Sequence, residues 1–126
     1  MKLLLDTCAL IWWTLDQSQL PIKVLTAVNE YDVHVSSISI WEIGVKIKNK
    51  KLDIGMSIKE YLDKLHELST LKILPVNETI WMENLHLSWD HKDPADRTIV
   101  ATAELMQSYI VTSDQIIATF YSKIFW

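Results

Sequence analysis

The sequence predicts an α/β domain built around a mostly parallel sheet, and three observations carry that prediction. Short apolar or β-branched runs alternate along the chain with segments whose apolar residues recur at helical spacing. The first of these runs, "KLLLD", is continuously apolar, as a strand buried on both faces would be. Nothing divides the chain, which has two glycines, no low-complexity stretch and no internal repeat, so residues 1–126 read as one domain.

The elements follow in order. After the first strand, Pro21 suits the first turn of a helix in which Val24, Leu25 and Val28 share a face. "DVHVSS" is β-branched and reads as the second strand. Ile40, Ile43, Gly44 and Ile47 then recur at helical spacing, and the segment ends in Lys46, Lys48, Lys50 and Lys51. A further helix runs from about Ser57 to Leu68 on Ile58, Tyr61, Leu62 and Leu65. "LKILPV" is a third strand stopped by Pro75, and a helix from Asn77 to about His86 follows it. The loop "SWDHKDP" leads into the helix "PADRTIVATAELMQ", with Pro94 at its first position. "SYIVTSD" is a fourth strand and "SKIFW" a short fifth.

Composition bounds the function. The net charge of −4 gives no global attraction to a polyanion, although local patches decide such binding. The single cysteine, Cys8, excludes an internal disulfide and fits the cytoplasm. Asp6 interrupts the apolar start, so it is no signal peptide, and no uncharged run reaches the roughly 18 residues of a membrane span.

Chain direction gathers the acids. In β-α-β units strands end, and the following helices begin, on one edge of the sheet, where ligands of open α/β sheets bind. Asp6 ends the first strand, Asp114 follows the fourth, Glu42 lies in the first turns after the second, and Asp96 opens the helix leading into the fourth. Most have an ordinary structural explanation. Ser39 to Glu42 fits a capping box, Asp93 fits an N-cap before Pro94 and Asp96, and Asp114 fits a cap on the last helix. Asp6 alone has no standard capping role at the end of a buried strand. Several carboxylates on one rim repel each other and raise their own pKa values. A hard divalent cation such as Mg²⁺ or Mn²⁺ relieves that repulsion and can activate water against a phosphodiester.

The blocks "LLLDT", "SSISIWEIGVKIKNKKL", "HKDPADRTIVATA" and "IVTSD" resemble the motifs of PIN-domain ribonucleases, specifically VapC-like toxins of bacterial toxin–antitoxin pairs. The resemblance implies a three-layer α/β/α sandwich around a parallel sheet of about five strands. It implies Mg²⁺- or Mn²⁺-dependent endonucleolytic cleavage of RNA, with Asp6, Glu42 and Asp96 matching the metal-binding acids and Asp114 the more variable fourth. It also implies a small antitoxin that blocks the site, and a homodimer. Ala95 departs from the pattern, since many relatives carry an aromatic residue there, and the loop shape and substrate fit should differ accordingly.

Other residues are weighed beside these. Thr7, Thr112 and Ser113 flank the acids and could orient a carboxylate or make ordinary turn bonds. Asp93 is a cap, a support for the acids, or both. Arg97, the only arginine, would pair with an acid or a phosphate, most commonly as a surface salt bridge. The four lysines after Glu42 form a solvated helix end, an RNA approach or a contact for an acidic partner. His34, His66, His86 and His91 lack zinc-like spacing. Cys8 has no histidine partner and is not expected to act as a nucleophile. Of the six tryptophans, Trp12, Trp13 and Trp41 belong near the first helices, where aromatic surface could serve a partner. Two other enzyme classes fit poorly. A haloacid-dehalogenase-like phosphatase wants a second acid where Cys8 stands, and a receiver-like phosphoacceptor wants adjacent acids and a late lysine. The stronger alternative is a catalytically silent PIN-fold binding module acting through an antitoxin or RNA complex.

Overall fold

The computed structural model describes residues 1–126. Its five strands are β1 (Lys2–Leu5), β2 (Asp32–Ser36), β3 (Leu71–Leu74), β4 (Tyr109–Val111) and β5 (Ile124–Phe125). They pair in the order β3-β2-β1-β4-β5, and every pairing is parallel. Seven helices flank the sheet: α1 (Thr7–Leu15), α2 (Ile22–Glu30), α3 (Ser37–Lys48), α4 (Ile58–His66), α5 (Glu78–His86), α6 (Pro94–Met106) and α7 (Gln115–Phe120).

Side-chain alternation in the strands makes the three layers. Leu3 and Leu5 of β1 join Val33, Val35 and Val111 on one face, packed against residues of α1 to α4 such as Leu10, Val24, Ile43 and Leu65. Leu4 and Ile110 point to the other face, against Ile80 of α5, Ile99 and Ala103 of α6 and Ile117 of α7. A central strand covered on both sides has no solvent-facing position, which is why "KLLL" lacks a polar residue between its leucines. The α/β/α sandwich expected from the sequence is the fold observed.

Two local differences concern helix starts. Helix α1 was not expected. Its sequence TCALIWWTL is apolar almost all round and so carries no helical stripe, although only Thr7, Ala9 and Leu10 are buried. Trp12 in this helix meets Trp126 with ring centroids 5.8 Å apart. Pro21 stands at the N-cap of α2 rather than in its first turn. Strand β1 is the switch point of the sheet, with β2 and β3 on one side and β4 and β5 on the other. The acids gather just beyond its carboxyl end.

Candidate functional site

Asp6 leaves β1 and caps α1. Its Oδ1 accepts the backbone N–H of Ala9 at 2.7 Å, its Oδ2 accepts the hydroxyl of Thr112, and its own N–H reaches the carbonyl of Val111 at 3.1 Å. The expectation that Asp6 has no capping role is therefore wrong, because the helix it caps was invisible in the sequence. The residue is 8% exposed. Burial pushes its carboxyl from 3.8 up to about 6, the bonds from Thr112 and Ala9 hold it down, and the charges of Asp96 and Asp114 push it further up.

Thr112 ties two of the acids together. Its hydroxyl donates to Asp6 while accepting the backbone N–H of Asp114 at 3.0 Å. Asp114 in turn caps α7, accepting the N–H of Ile116 at 2.8 Å. Ser113, between them, is exposed and makes no side-chain bond to the acids.

Asp96 sits in the first turn of α6, where its N–H is held by the N-cap Asp93 at 2.9 Å. Its Oδ2 lies 2.8 Å from Nε2 of His91. Burial raises its carboxyl above the usual range, the His91 bond opposes that, and Asp93 and Asp114 add to it. His91 itself rests on Trp89, with ring centroids 4.8 Å apart, and Trp89 stacks on Phe120. Sequence reading gave His91 no firmer place than a surface loop; its bond to Asp96 crosses a loop whose path no local pattern encodes.

Glu42 is not in a capping box. Helix α3 starts at Ser37, and Ser36 caps it by accepting the N–H of Ile38 at 3.2 Å. Ser39 is fully buried inside the helix, and its Oγ accepts the hydroxyl of Thr7 at 2.9 Å. Thr7 thus joins α1 to α3 and touches no carboxylate. Glu42 is left half-buried on a cleft of about 230 Å³, between α3 and the start of α6, which Asp93 also lines. Cys8 reports the surrounding charge. Its thiol is pushed up by burial first and then by Asp6, with Lys46 opposing and Glu42 and Asp114 adding. So the charges of Asp6, Glu42 and Asp114 are all felt at one thiol, and Asp96 acts on Asp6 as Asp114 acts on Asp96. A thiol raised in this way is a poor nucleophile.

Arg97 departs from expectation. It pairs with no carboxylate. Its guanidinium donates to the Asn84 side-chain oxygen at 3.2 Å, to the Asn84 carbonyl at 2.6 Å, to the His91 carbonyl at 3.0 Å and to the Trp89 carbonyl. It staples α5, α6 and the loop between them, one residue from Asp96.

Carboxylate and hydroxyl oxygens are what a hard cation prefers, and the burial of like charges is what such a cation would relieve. The donor chemistry therefore fits Mg²⁺ or Mn²⁺. The geometry is not that of a preformed cage, since no three His, Cys, Asp or Glu side chains stand close enough to hold an ion. Mg²⁺ usually keeps several waters and takes one or two carboxylates, so a spread rim suits it.

The sequence profile of the family described as "PIN domain" matches residues 3–123. The chain belongs to the PIN domain family. Solved structures share the PIN fold with it. A toxin–antitoxin complex from Klebsiella pneumoniae is 21% identical, with 98% of this chain and 95% of that chain covered and a TM-score of 0.66. VapBC2 from Rickettsia felis, bound to a DNA fragment from its promoter, is 16% identical, with 98% and 96% covered and a TM-score of 0.68. FitAcB from Neisseria gonorrhoeae is 21% identical, with 91% and 89% covered and a TM-score of 0.59. No curated protein matches the sequence. PIN domains are generally nucleases; in this one Asp6 follows β1, Glu42 lies in α3, Asp96 in the first turn of α6, and Asp114 caps α7 after β4. No helix is long and apolar enough to cross a membrane.

Proposed function

We propose that this chain is the toxin of a bacterial toxin–antitoxin pair and acts in the cytoplasm as a Mg²⁺- or Mn²⁺-dependent endoribonuclease, residues 1–126 forming one catalytic domain. The observation that carries the reading is Asp6. A carboxyl pushed up to about 6 by burial, with two further acids adding to the shift, is an arrangement that a bound cation stabilises and an empty fold does not. Of Asp6, Glu42, Asp96 and Asp114, one or two would hold the ion directly and the others through its waters. When bound, it supplies a water activated at neutral pH and a positive charge for the developing phosphorane.

The chain's own groups do the rest. Thr112 orients Asp6 by donating to Oδ2, and His91 fixes one oxygen of Asp96. Asp93 holds the first turn of α6 in place through the N–H of Asp96. Arg97 anchors the loop that carries His91.

Two observations support partners. An apolar groove of about 730 Å³ runs between α3 and α4, lined by Ile40, Trp41, Val45, Ile58 and Leu62. Such surface suits the apolar segment of a small antitoxin. The exposed Trp81, Met82 and Leu85 of α5 are a second apolar surface, suited to a homodimer.

One observation favours a second reading. Asp6, Asp93 and Asp114 all have capping roles, which is what a catalytically silent PIN-fold binding module would keep. Purified, partner-free protein on total RNA with Mn²⁺, Mg²⁺ or EDTA, beside the Asp6→Asn variant, separates the two. Cleavage that is lost in EDTA and in the variant is the expected result. Folded protein that cleaves nothing supports the binding module, and a variant that cleaves like the parent overturns the assignment of the acids.

A further inference from the structure

The cleft beside Glu42 has a composition that the carboxylates alone do not explain. One wall is α3, which presents Trp41 and, one turn beyond Glu42, Lys46. The other is the start of α6, with Asp93 and the buried methyl of Ala95. Lys51 also lines it, although it lies beyond the end of α3. A specific turn brings it back. Lys50 takes the left-handed conformation at φ 58°, its N–H bonds the Ile47 carbonyl at 3.0 Å, and the Lys51 N–H bonds the Lys46 carbonyl at 2.8 Å. These are the two bonds of a Schellman closure, formed here with lysine where glycine is usual. The closure folds Lys51 back beside Lys46.

Trp41 is 56% exposed, although it is a tryptophan in a chain with ample core. An exposed tryptophan that shares a cleft with two lysines is the pairing used for unpaired nucleotides, where the ring stacks a base and cations hold the backbone. The cleft adjoins Glu42, and one helical turn, about 5.4 Å, is on the scale of one nucleotide step. Ala95 matters to the same space. A bulky side chain at that position would fill volume that the small residue leaves open.

We propose that this cleft binds the nucleotide adjacent to the scissile phosphate of a single-stranded RNA, with its base on Trp41 and its phosphate between Lys46 and Lys51. The proposal rests on the ribonuclease reading and narrows its substrate to unpaired RNA. A duplex cannot offer a base face to Trp41 without unstacking.

The test is binding of a labelled single-stranded oligoribonucleotide, and of its duplex, to the full chain in EDTA, where metal-dependent cleavage is off. The single strand should bind more tightly. Trp41→Ala should weaken it about 5- to 150-fold, the range of one lost base stack, and Trp41→Phe should recover most of that. Replacing Lys46 and Lys51 together by Gln should reduce the slope of log affinity against log salt by about 1.4. Failure of the parent to bind, equal affinity for the duplex, or a Trp41→Ala variant that binds like the parent overturns the proposal. The two readings fail separately. Metal-dependent cleavage unchanged by Trp41→Ala removes the cleft and leaves the nuclease, whereas cleft-dependent binding without cleavage under any metal removes the nuclease and leaves the cleft.

Discussion

Asp96 and Arg97 are neighbours in one helical turn and live in opposite surroundings. Arg97 faces the back of α6, where neutral oxygens of Asn84, Trp89 and His91 receive its donors. Asn84 passes its amide on to Thr98, which donates to the Pro94 carbonyl. Every group there has a partner, and a charge is held without a counter-charge. Asp96 faces the rim, where acids crowd one another and His91 is the basic group bonded to it. One region is optimised for folding and the other is electrostatically unfavourable as it stands. A fold keeps such a region where something else is meant to bind.

Breaking each side of this contrast should give opposite results. The largest effect is expected from Asp6→Asn on cleavage of RNA with Mn²⁺. Its loss should exceed the about 10- to 100-fold typical of groups that merely support a ligand. Near-parental rates would remove Asp6 from the site.

On the other side, Arg97→Met should destabilise the protein by about 3 kcal/mol or more, because it leaves Asn84 and two loop carbonyls short of donors. Urea unfolding measures it, and a loss within about 0.5 kcal/mol would mean that water replaces the guanidinium freely.

Without metal, the rim should behave in reverse. A carboxyl whose folded pKa lies above its unfolded value binds its proton more tightly when folded. It therefore supports folding at low pH and opposes it once both states are ionised. For Asp6 that window runs from about 3.8 to about 6. In EDTA, Asp6→Asn should match the parent near pH 3.5 and exceed it by at most about 3 kcal/mol at pH 8. Asparagine remains a good N-cap, so the Ala9 bond survives the change. Saturating Mg²⁺ should stabilise the parent and not the variant. An equal response of the two proteins to pH and Mg²⁺ would contradict the proposed electrostatics.

The smallest expected effect is at His91. His91→Ala should weaken Mn²⁺ binding about 10-fold by calorimetry, and His91→Gln, which keeps a donor, should lose less. No change in either would confine His91 to packing on Trp89.

Much of this was readable in the sequence, for reasons that differ by residue. Strand-helix alternation fixes chain direction, and chain direction alone put Asp6, Glu42, Asp96 and Asp114 on one edge. Pro94 and Asp93 marked the start of α6 because their preferences are local. The failures have equally physical causes. α1 carries no polar face, so its cap could not be recognised. Ser36 and Ser39 both suit a helix start, and the choice is made by the pairing of Ser36 with Leu74 on β3. The partners of Arg97 and His91 lie across a loop, where long-range packing sets the contacts.

The central position of β1 has a further consequence, in time rather than space. Asp6 is made 106 residues before Thr112, which holds its carboxylate, and well before β4, which closes the open side of β1. A ribosome producing this chain carries an unfinished rim while the residues between them are made. If the rim cuts RNA, the order of strands in the sheet delays its assembly until β4 has been made.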